Sequence, residues 1–206
     1  MSARQPWADP AQMQVRAAAP KDRRRVARFL AAMDRDGLYQ RHFSHGEAPN
    51  LALLSRLDAV DQCQRVAVLA VASDDEVLGH AEYVVEHGAA EFALMVLPDQ
   101  RARGIGTALL QALLDLATAG GERRMHGMIQ ASNTRALKLV LKTGFRVVPG
   151  DDATVVIVSR DLAPSRDAAP ASAAHRYPFS LARHDPDRTP LHRRPGPGTP
   201  LRAGGG

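Results

Sequence analysis

The sequence predicts an α/β (α+β) domain built on a mixed, mostly antiparallel sheet of about six to seven strands flanked by about four helices. Three observations predict it. "RVAVLAVAS", "EVLGHAEYVVEHG" and "AAEFALMVL" follow one another as apolar strand segments, separated only by the short breakers "SDDE" and "HG". After them, helical and strand periods alternate up to Arg160. The length of 206 residues allows one domain with a real core and leaves little room for a second.

The elements can be read in order. Met13 to Arg16 reads as a short strand, and Lys21 to Met33 carries Val26, Phe29, Leu30 and Met33 at helical spacing, with Gly37 as its terminator. Asn50 reads as the cap of a second helix whose apolar face is Leu51, Leu54, Leu57 and Val60. The three sequential strands then form an antiparallel meander, because short turns join antiparallel neighbours. A helix from Gly104 to about Ala119 follows, then a strand at Met125 to Ile129 and a helix from Asn133 to about Lys142. Strands at Phe145 to Val148 and Thr154 to Arg160 end the pattern, and no internal repeat is present.

Composition narrows the class. Hydrophobic residues make up 45% and aromatics only 4%, so the core must be aliphatic. Cys63 is the single cysteine, which excludes an intramolecular disulfide framework and fits a reducing cytoplasm. The longest clean apolar run, Val66 to Ala72, falls far short of the roughly 20 residues of a membrane-spanning helix, and the N-terminus has no apolar signal core. The sequence pI near 10 invites a nucleic-acid reading. However, residues 163–206 hold seven Arg and three Asp, a net +4 of the whole-chain +5, which leaves about +1 on residues 1–162. That Pro-, Arg- and Gly-rich segment has no sustained period and reads as a disordered tail. Tyr177 and Phe179 are its only aromatics, too few for a base-stacking platform. The expected layout is a flexible arm over 1–12, a folded domain over 13–162 and the tail over 163–206.

Chemistry concentrates in "AEFALMVLPDQRARGIGTALL", Ala90 to Leu110. A strand ends near Val96, Pro98 breaks its ladder, and a helix opens at Gly104. Gly104 and Gly106 permit close backbone approach, and first-turn amides carry partial positive charge, so the loop suits an anion such as a pyrophosphate. Arg101 and Arg103 are placed to add charge. A plain turn is the alternative reading of two glycines at a helix start. Two nucleotide loops are excluded, since Gly106 is followed by Thr107 and Ala108 rather than Lys-Ser/Thr, and Leu109 stands where a dinucleotide fingerprint needs a small residue.

Val96, Pro98, Arg101, Gly104, Ile105 and Gly106, followed by Asn133, Ala136, Leu137, Gly144 and Phe145, resemble the two acyl-coenzyme A blocks of the GNAT N-acetyltransferase superfamily, in the right order and spacing. "LYQRHFS" at Leu38 to Ser44, the Leu-rich helix and "AEFALMV" are further similar to the acetyltransferase domain of bacterial Pat-type protein lysine acetyltransferases. Those domains often sit beside a regulatory or acyl-CoA synthetase-like domain, for which 206 residues leave no room.

The resemblance implies a GNAT-like fold with splayed central strands and acetyl-CoA as cosubstrate. Amides of Arg101, Ala102, Arg103, Gly104, Ile105, Gly106 and Thr107 would hold the pyrophosphate, while the backbone of Leu94, Met95 and Val96 would pair with the pantetheine amides. Asn133 would either bond near the pantetheine arm or cap its helix; the two roles are compatible. Val140 stands where many members carry the Tyr that protonates the leaving thiolate, so no dedicated general acid is evident.

Glu91 is the acid on this apolar strand, and the matching Pat-type Ala-Glu stretch assigns it as general base. The alternative is a carboxylate on a solvent face, sharing parity with Ala93 and Met95. A lysine of pKa ~10.4 costs about 4.6 kcal/mol to deprotonate at pH 7, so a lysine acetyltransferase gains from a base. Glu82 and Glu86 read as a solvated face, and His80 and His87 as surface or turn residues; no spacing suggests a metal site. Tyr39, Arg41, His42 and Ser44 are candidates for the acceptor pocket. The expected acceptors are a protein lysine, acyl-CoA synthetases among the proteins, or a small amine drawn to Glu47 and Glu91. A non-catalytic acyl-CoA-binding regulatory module is the remaining alternative.

Overall fold

The computed structural model describes residues 13–42, 48–86, 88–150 and 152–162, with side chains at 40–42 and 48–51 excepted. They fall within one compact unit, Met1–Ala171. The expected arm and tail lie outside the described residues, as do His87, Ser44 and Glu47.

The strands are β1 (Gln14–Ala17), β2 (Arg65–Val71), β3 (Val77–Glu86), β4 (Ala89–Val96), β5 (Arg124–Gln130), β6 (Arg146–Val148) and β7 (Val155–Asp161). The helices are α1 (Arg23–Ala31), α2 (Arg35–His42), α3 (Ala48–Asp58), α4 (Ile105–Ala119) and α5 (Thr134–Lys142). The strands form one seven-stranded sheet in the order β1-β2-β3-β4-β5-β7-β6. Every pairing is antiparallel except β4 with β5, which is parallel.

Both faces of the sheet centre are covered, which is why β2 reads as an unbroken apolar run rather than an alternating one. Val66, Val68 and Ala70 pack with Leu109, Leu110, Leu113 and Leu114 of α4. Their alternates Ala67, Leu69 and Val71 pack with Val26, Phe29 and Leu30 of α1 and Leu53 and Leu57 of α3. The α4 leucines recur at three- and four-residue spacing, so one stripe of the helix meets the sheet. Each buried leucine contributes about 1.5–3 kcal/mol relative to leaving it exposed.

The helical region departs from expectation in two places. Gly37 does not end the first helix, which stops at Ala31; it lies inside α2, a separate helix. Asn50 is not a cap, because α3 begins at Ala48 and Asn50 falls in its first turn. The first helix closes instead at Ala32, whose N–H bonds back to the carbonyls of Arg28, Phe29 and Leu30.

The pairing of β4 with β5 is brief. It covers Ala90 with Met125 and Glu91 with His126, and no further residues. The next residues in register are Phe92 and Gly127. The Phe92 ring lies against Gly127, where an added Cβ would come within 2.6 Å of the ring. The same ring sits 5.1 Å from that of Phe145. Beyond this aromatic wedge the strands part, so the splay expected between central strands begins one residue after Glu91.

Candidate active site

The parting of β4 and β5 leaves residues 92–96 of β4 bonded to β3 on one edge with no strand on the other. An unpaired edge presents backbone N–H and C=O groups to whatever enters. Leu94, Met95 and Val96, the expected pantetheine contacts, are the residues along this opening. Leu94 and Val96 pack partly buried on the α4 side, and Met95 is buried in the cluster beneath α1 and α3.

After β4 the chain makes a single 3-10 turn, Pro98–Gln100, and then the glycine loop. Ala102 and Gly104 both have positive φ, 63° and 85°, with Arg103 between them. Such alternation turns successive amides toward one concave side and makes an anion cradle. Ala102, Arg103 and Gly104 are exposed, and a Cβ on Gly104 would meet nothing within 4 Å, so the space in front of the loop is open. The first bond of α4 runs from the Ala108 N–H to the Gly104 carbonyl at 3.0 Å. The amides of Ile105, Gly106 and Thr107 therefore precede the helical ladder, as an anion site requires. Ile105 contributes only its backbone, since its side chain is in the core. Gly106 makes its close approach to α5, where a Cβ would lie 3.2 Å from Leu139.

Arg101 departs from the expected use of its charge. Its guanidinium makes two bonds to Asp34, at 2.9 and 2.7 Å, and a third to the Val96 carbonyl at 3.3 Å. This pairing holds the Asp34 carboxyl below the usual aspartate range. Arg101 thus offers the cradle its main chain while its side chain ties the loop to α2.

The two faces of β4 differ. Ala90 and Phe92 join the α4-side core, whereas Glu91, Ala93 and Met95 point to the side of α1 and α3. Met95 is buried there, and Glu91 is half-buried beside the mouth of the splay. His126 lies opposite Glu91 in the parallel register and shares its face, also half-buried, and Ser159 of β7 continues the row. Sequence reasoning missed His126, because only the parallel pairing brings it to Glu91.

Two expectations on this face are overturned. Glu82 is 3% exposed and His80 1%, so neither belongs to a solvated surface. They obey the strand's two-residue period, but α1 and α3 cover the face that the period ordinarily gives to water. Arg56 of α3 and Arg65 of β2 flank the Glu82 carboxylate at 3.8 and 3.9 Å, charges that offset its burial.

Asn133 caps α5, its Oδ1 accepting the Ala136 N–H at 3.0 Å. Val140 is buried in the α4-side core. Tyr39 is exposed on α2, while the side chains of Arg41 and His42 lie outside the described ones. Burial pushes Tyr83 up to about 12 and Glu122 upward, but Tyr83 belongs to the core on the face opposite Glu91. A concavity lined by Arg16, Lys21, Arg25, Gln62 and Asp75 lies by β1, and its arginines are engaged by Asp22 and Asp75. Among the described residues no cluster of three or more His, Cys, Asp or Glu gathers as a metal site. Nor is any helix among them long and apolar enough to cross a membrane.

The open strand edge, the cradle at 101–104 and the free space before Gly104 fit a long ligand with an anionic segment. The family model described as acetyltransferase (GNAT) family matches residues 34–145. A mycothiol acetyltransferase from Clavibacter sepedonicus is 40% identical over 80 residues, 38% of this chain and 26% of that protein. An L-methionine sulfoximine/L-methionine sulfone acetyltransferase from Pseudomonas paraeruginosa is 38% identical over 85 residues, 37% of this chain and 49% of that protein. The matches therefore span about a quarter and about a half of these relatives. Among solved structures, the GNAT domain of S. lividans PAT superposes with a TM-score of 0.68 at 23% identity, over 73% of this chain and 90% of that one.

Proposed function

The chain belongs to the acetyltransferase (GNAT) family, and from that premise we propose that it transfers an acetyl group from acetyl-CoA to an amine, with a protein lysine as acceptor and Glu91 as general base. The observation that carries this reading is the position of Glu91, the last residue of β4 paired to β5, facing the side away from α4 where the strands part. Acetyl-CoA supplies the acyl group as a thioester: the acceptor nitrogen attacks the carbonyl carbon, the C–N bond forms, the C–S bond breaks and the thiolate leaves.

The cradle amides from Arg101 to Thr107 hold the pyrophosphate, and the open edge at Leu94, Met95 and Val96 aligns the pantetheine arm. Asn133 rigidifies the start of α5 beside that arm. Glu91 takes the proton that the acceptor ammonium must lose before attack. A positioned base of this kind contributes about 10² to 10⁴ in rate, and alignment of the two reactants contributes much of the rest. Buried Val140 offers no proton to the thiolate, so that proton comes from water or from the second proton that the nitrogen sheds once the C–N bond has formed.

The resemblance of "LYQRHFS" and "AEFALMV" to Pat-type domains supports a protein lysine, and the S. lividans PAT domain shares the fold. A small amine is the second reading, favoured by the two curated relatives, whose names specify small molecules. Thermal stabilisation by acetyl-CoA, run beside thiol release with acyl-CoA synthetases and a panel of small amines, tests both. Stabilisation with release on a protein establishes the first reading, and release only on the panel moves the assignment to the second. Stabilisation without release on any acceptor leaves an acyl-CoA-binding module, and absence of stabilisation removes the cofactor assignment.

A further inference from the structure

The geometry points to Asp34 as a positioning residue that, through Arg101, couples the seating of α2 to the shape of the cofactor loop; this rests on the loop being the acyl-CoA cradle proposed above. Asp34 stands just before α2 and its Oδ1 accepts the Gly37 N–H at 3.0 Å, an N-cap bond that satisfies a first-turn amide. The same carboxylate binds the Arg101 guanidinium through both oxygens, at 2.7 and 2.9 Å. Arg101 in turn holds the carbonyl of Val96, the last residue of β4, at 3.3 Å. One carboxylate and one guanidinium therefore join the start of α2, the end of the splayed strand and the first residue of the cradle. Planar two-point pairing of this kind fixes orientation as well as distance.

Gly37 supplies the independent observation. Glycine is disfavoured inside a helix because its backbone loses the most freedom. Here an added Cβ would come within 2.5 Å of Asp34 Oδ1, 2.6 Å of Arg101 Nη2 and 2.7 Å of Met33 Cε. The helix thus carries a poor helix former where the pair, with Met33 beside it, fills the space. Leu38, one residue on, packs against the core beneath α1 and α3, so α2 is seated by an apolar contact and by this pair. Because α2 leads toward Tyr39 and the acceptor candidates after it, disturbing the pair moves the acceptor side and the cofactor side together.

The test uses the full chain in Asp34→Asn, Arg101→Gln, the double variant and Gly37→Ala, with CoA as the probe in calorimetry and steady-state kinetics on whichever acceptor gives thiol release in the preceding experiment. Amide exchange over residues 35–42 and 101–107 reads the coupling without turnover. Asp34→Asn is expected to weaken CoA binding about fivefold or more and to raise the acceptor KM, with kcat near that of wild type. Exchange should quicken in both segments, and the double variant should be no worse than the poorer single one. Gly37→Ala, which helix propensity alone would favour, should reproduce the loss. If Asp34→Asn and Gly37→Ala bind CoA as wild type does while Arg101→Gln does not, Arg101 acts on the ligand directly and the coupling is overturned. Faster exchange confined to 35–42, with CoA affinity unchanged, reduces Asp34 to a helix cap. Failure of the wild-type chain itself to bind CoA overturns the cradle assignment instead, and the coupling to the cofactor with it.

Discussion

The two faces of β4 carry the same backbone to different ends. On one, Ala90 and Phe92 enter an aliphatic core with α4; on the other, Glu91 is half-buried, with His126 beside it in register and buried Glu82 on the neighbouring strand. The first face is held by burial alone and tolerates no polar group without cost. The second keeps charge close to the protein interior, where electrostatic interactions are stronger than in water. Under the proposed function one strand serves stability and chemistry at once, since successive side chains point to opposite sides of the sheet.

The comparison breaks most sharply at Glu91. Glu91→Gln should leave CoA affinity and unfolding temperature near those of wild type and lower turnover about a hundredfold or more. Equal turnover across the pH range would make Glu91 a structural acid and erase the proposed functional difference between the faces. Gly127→Ala attacks the opposite face. The new methyl meets the Phe92 ring at 2.6 Å, and overpacking of this kind costs about 1–3 kcal/mol. Urea unfolding should show that loss, and it should shrink in a Phe92→Leu background, where the ring is absent. A neutral result in both backgrounds would mean that the wedge does not set the point where the strands part.

The smallest effect is expected from acid, at a pair outside both faces. Asp22 is fully buried before α1 and takes two bonds from Arg16, both at 2.8 Å, and one from the Ala19 N–H at 3.1 Å. Arg16 holds its carboxyl below the ordinary 3.8. A carboxylate with a lowered folded pKa contributes stability that is whole above its unfolded value and lost as pH falls through the folded one. Thermal unfolding followed downward past pH 3.8 should therefore fall less steeply in Asp22→Asn than in wild type. Parallel slopes would show that other carboxylates govern the acid limb.

Much of the fold and of the site is legible in the amino-acid order. The meander of β2 to β4 and the helix α4 announce themselves by period, because every turn between them is short and each element shows its apolar pattern intact. The cradle is legible from its glycines, and Glu91 from being an acid on an apolar strand. Relations across the chain are not. Asp34 and Arg101 are 67 residues apart, and no local pattern announces a pair at that distance. Gly37 reads as a helix terminator because glycine usually is one; the space beside it is filled by Asp34, by Met33 and by a guanidinium that only folding brings there.

His80 and Glu82 escape local reading for a related reason. Alternation on a strand tells which residues share a face, yet it says nothing about whether that face meets water or a helix. Among the described residues, the amino-acid sequence by itself determined the seven strands, four of the five helices, a glycine loop suited to an anion, and the family resemblance, since these depend on residues within a few positions of one another. Only the tertiary structure decided where β4 leaves β5, which histidine stands beside Glu91, and what Arg101 holds. Each of those depends on register and packing between distant segments, which settle only when the whole sheet is assembled.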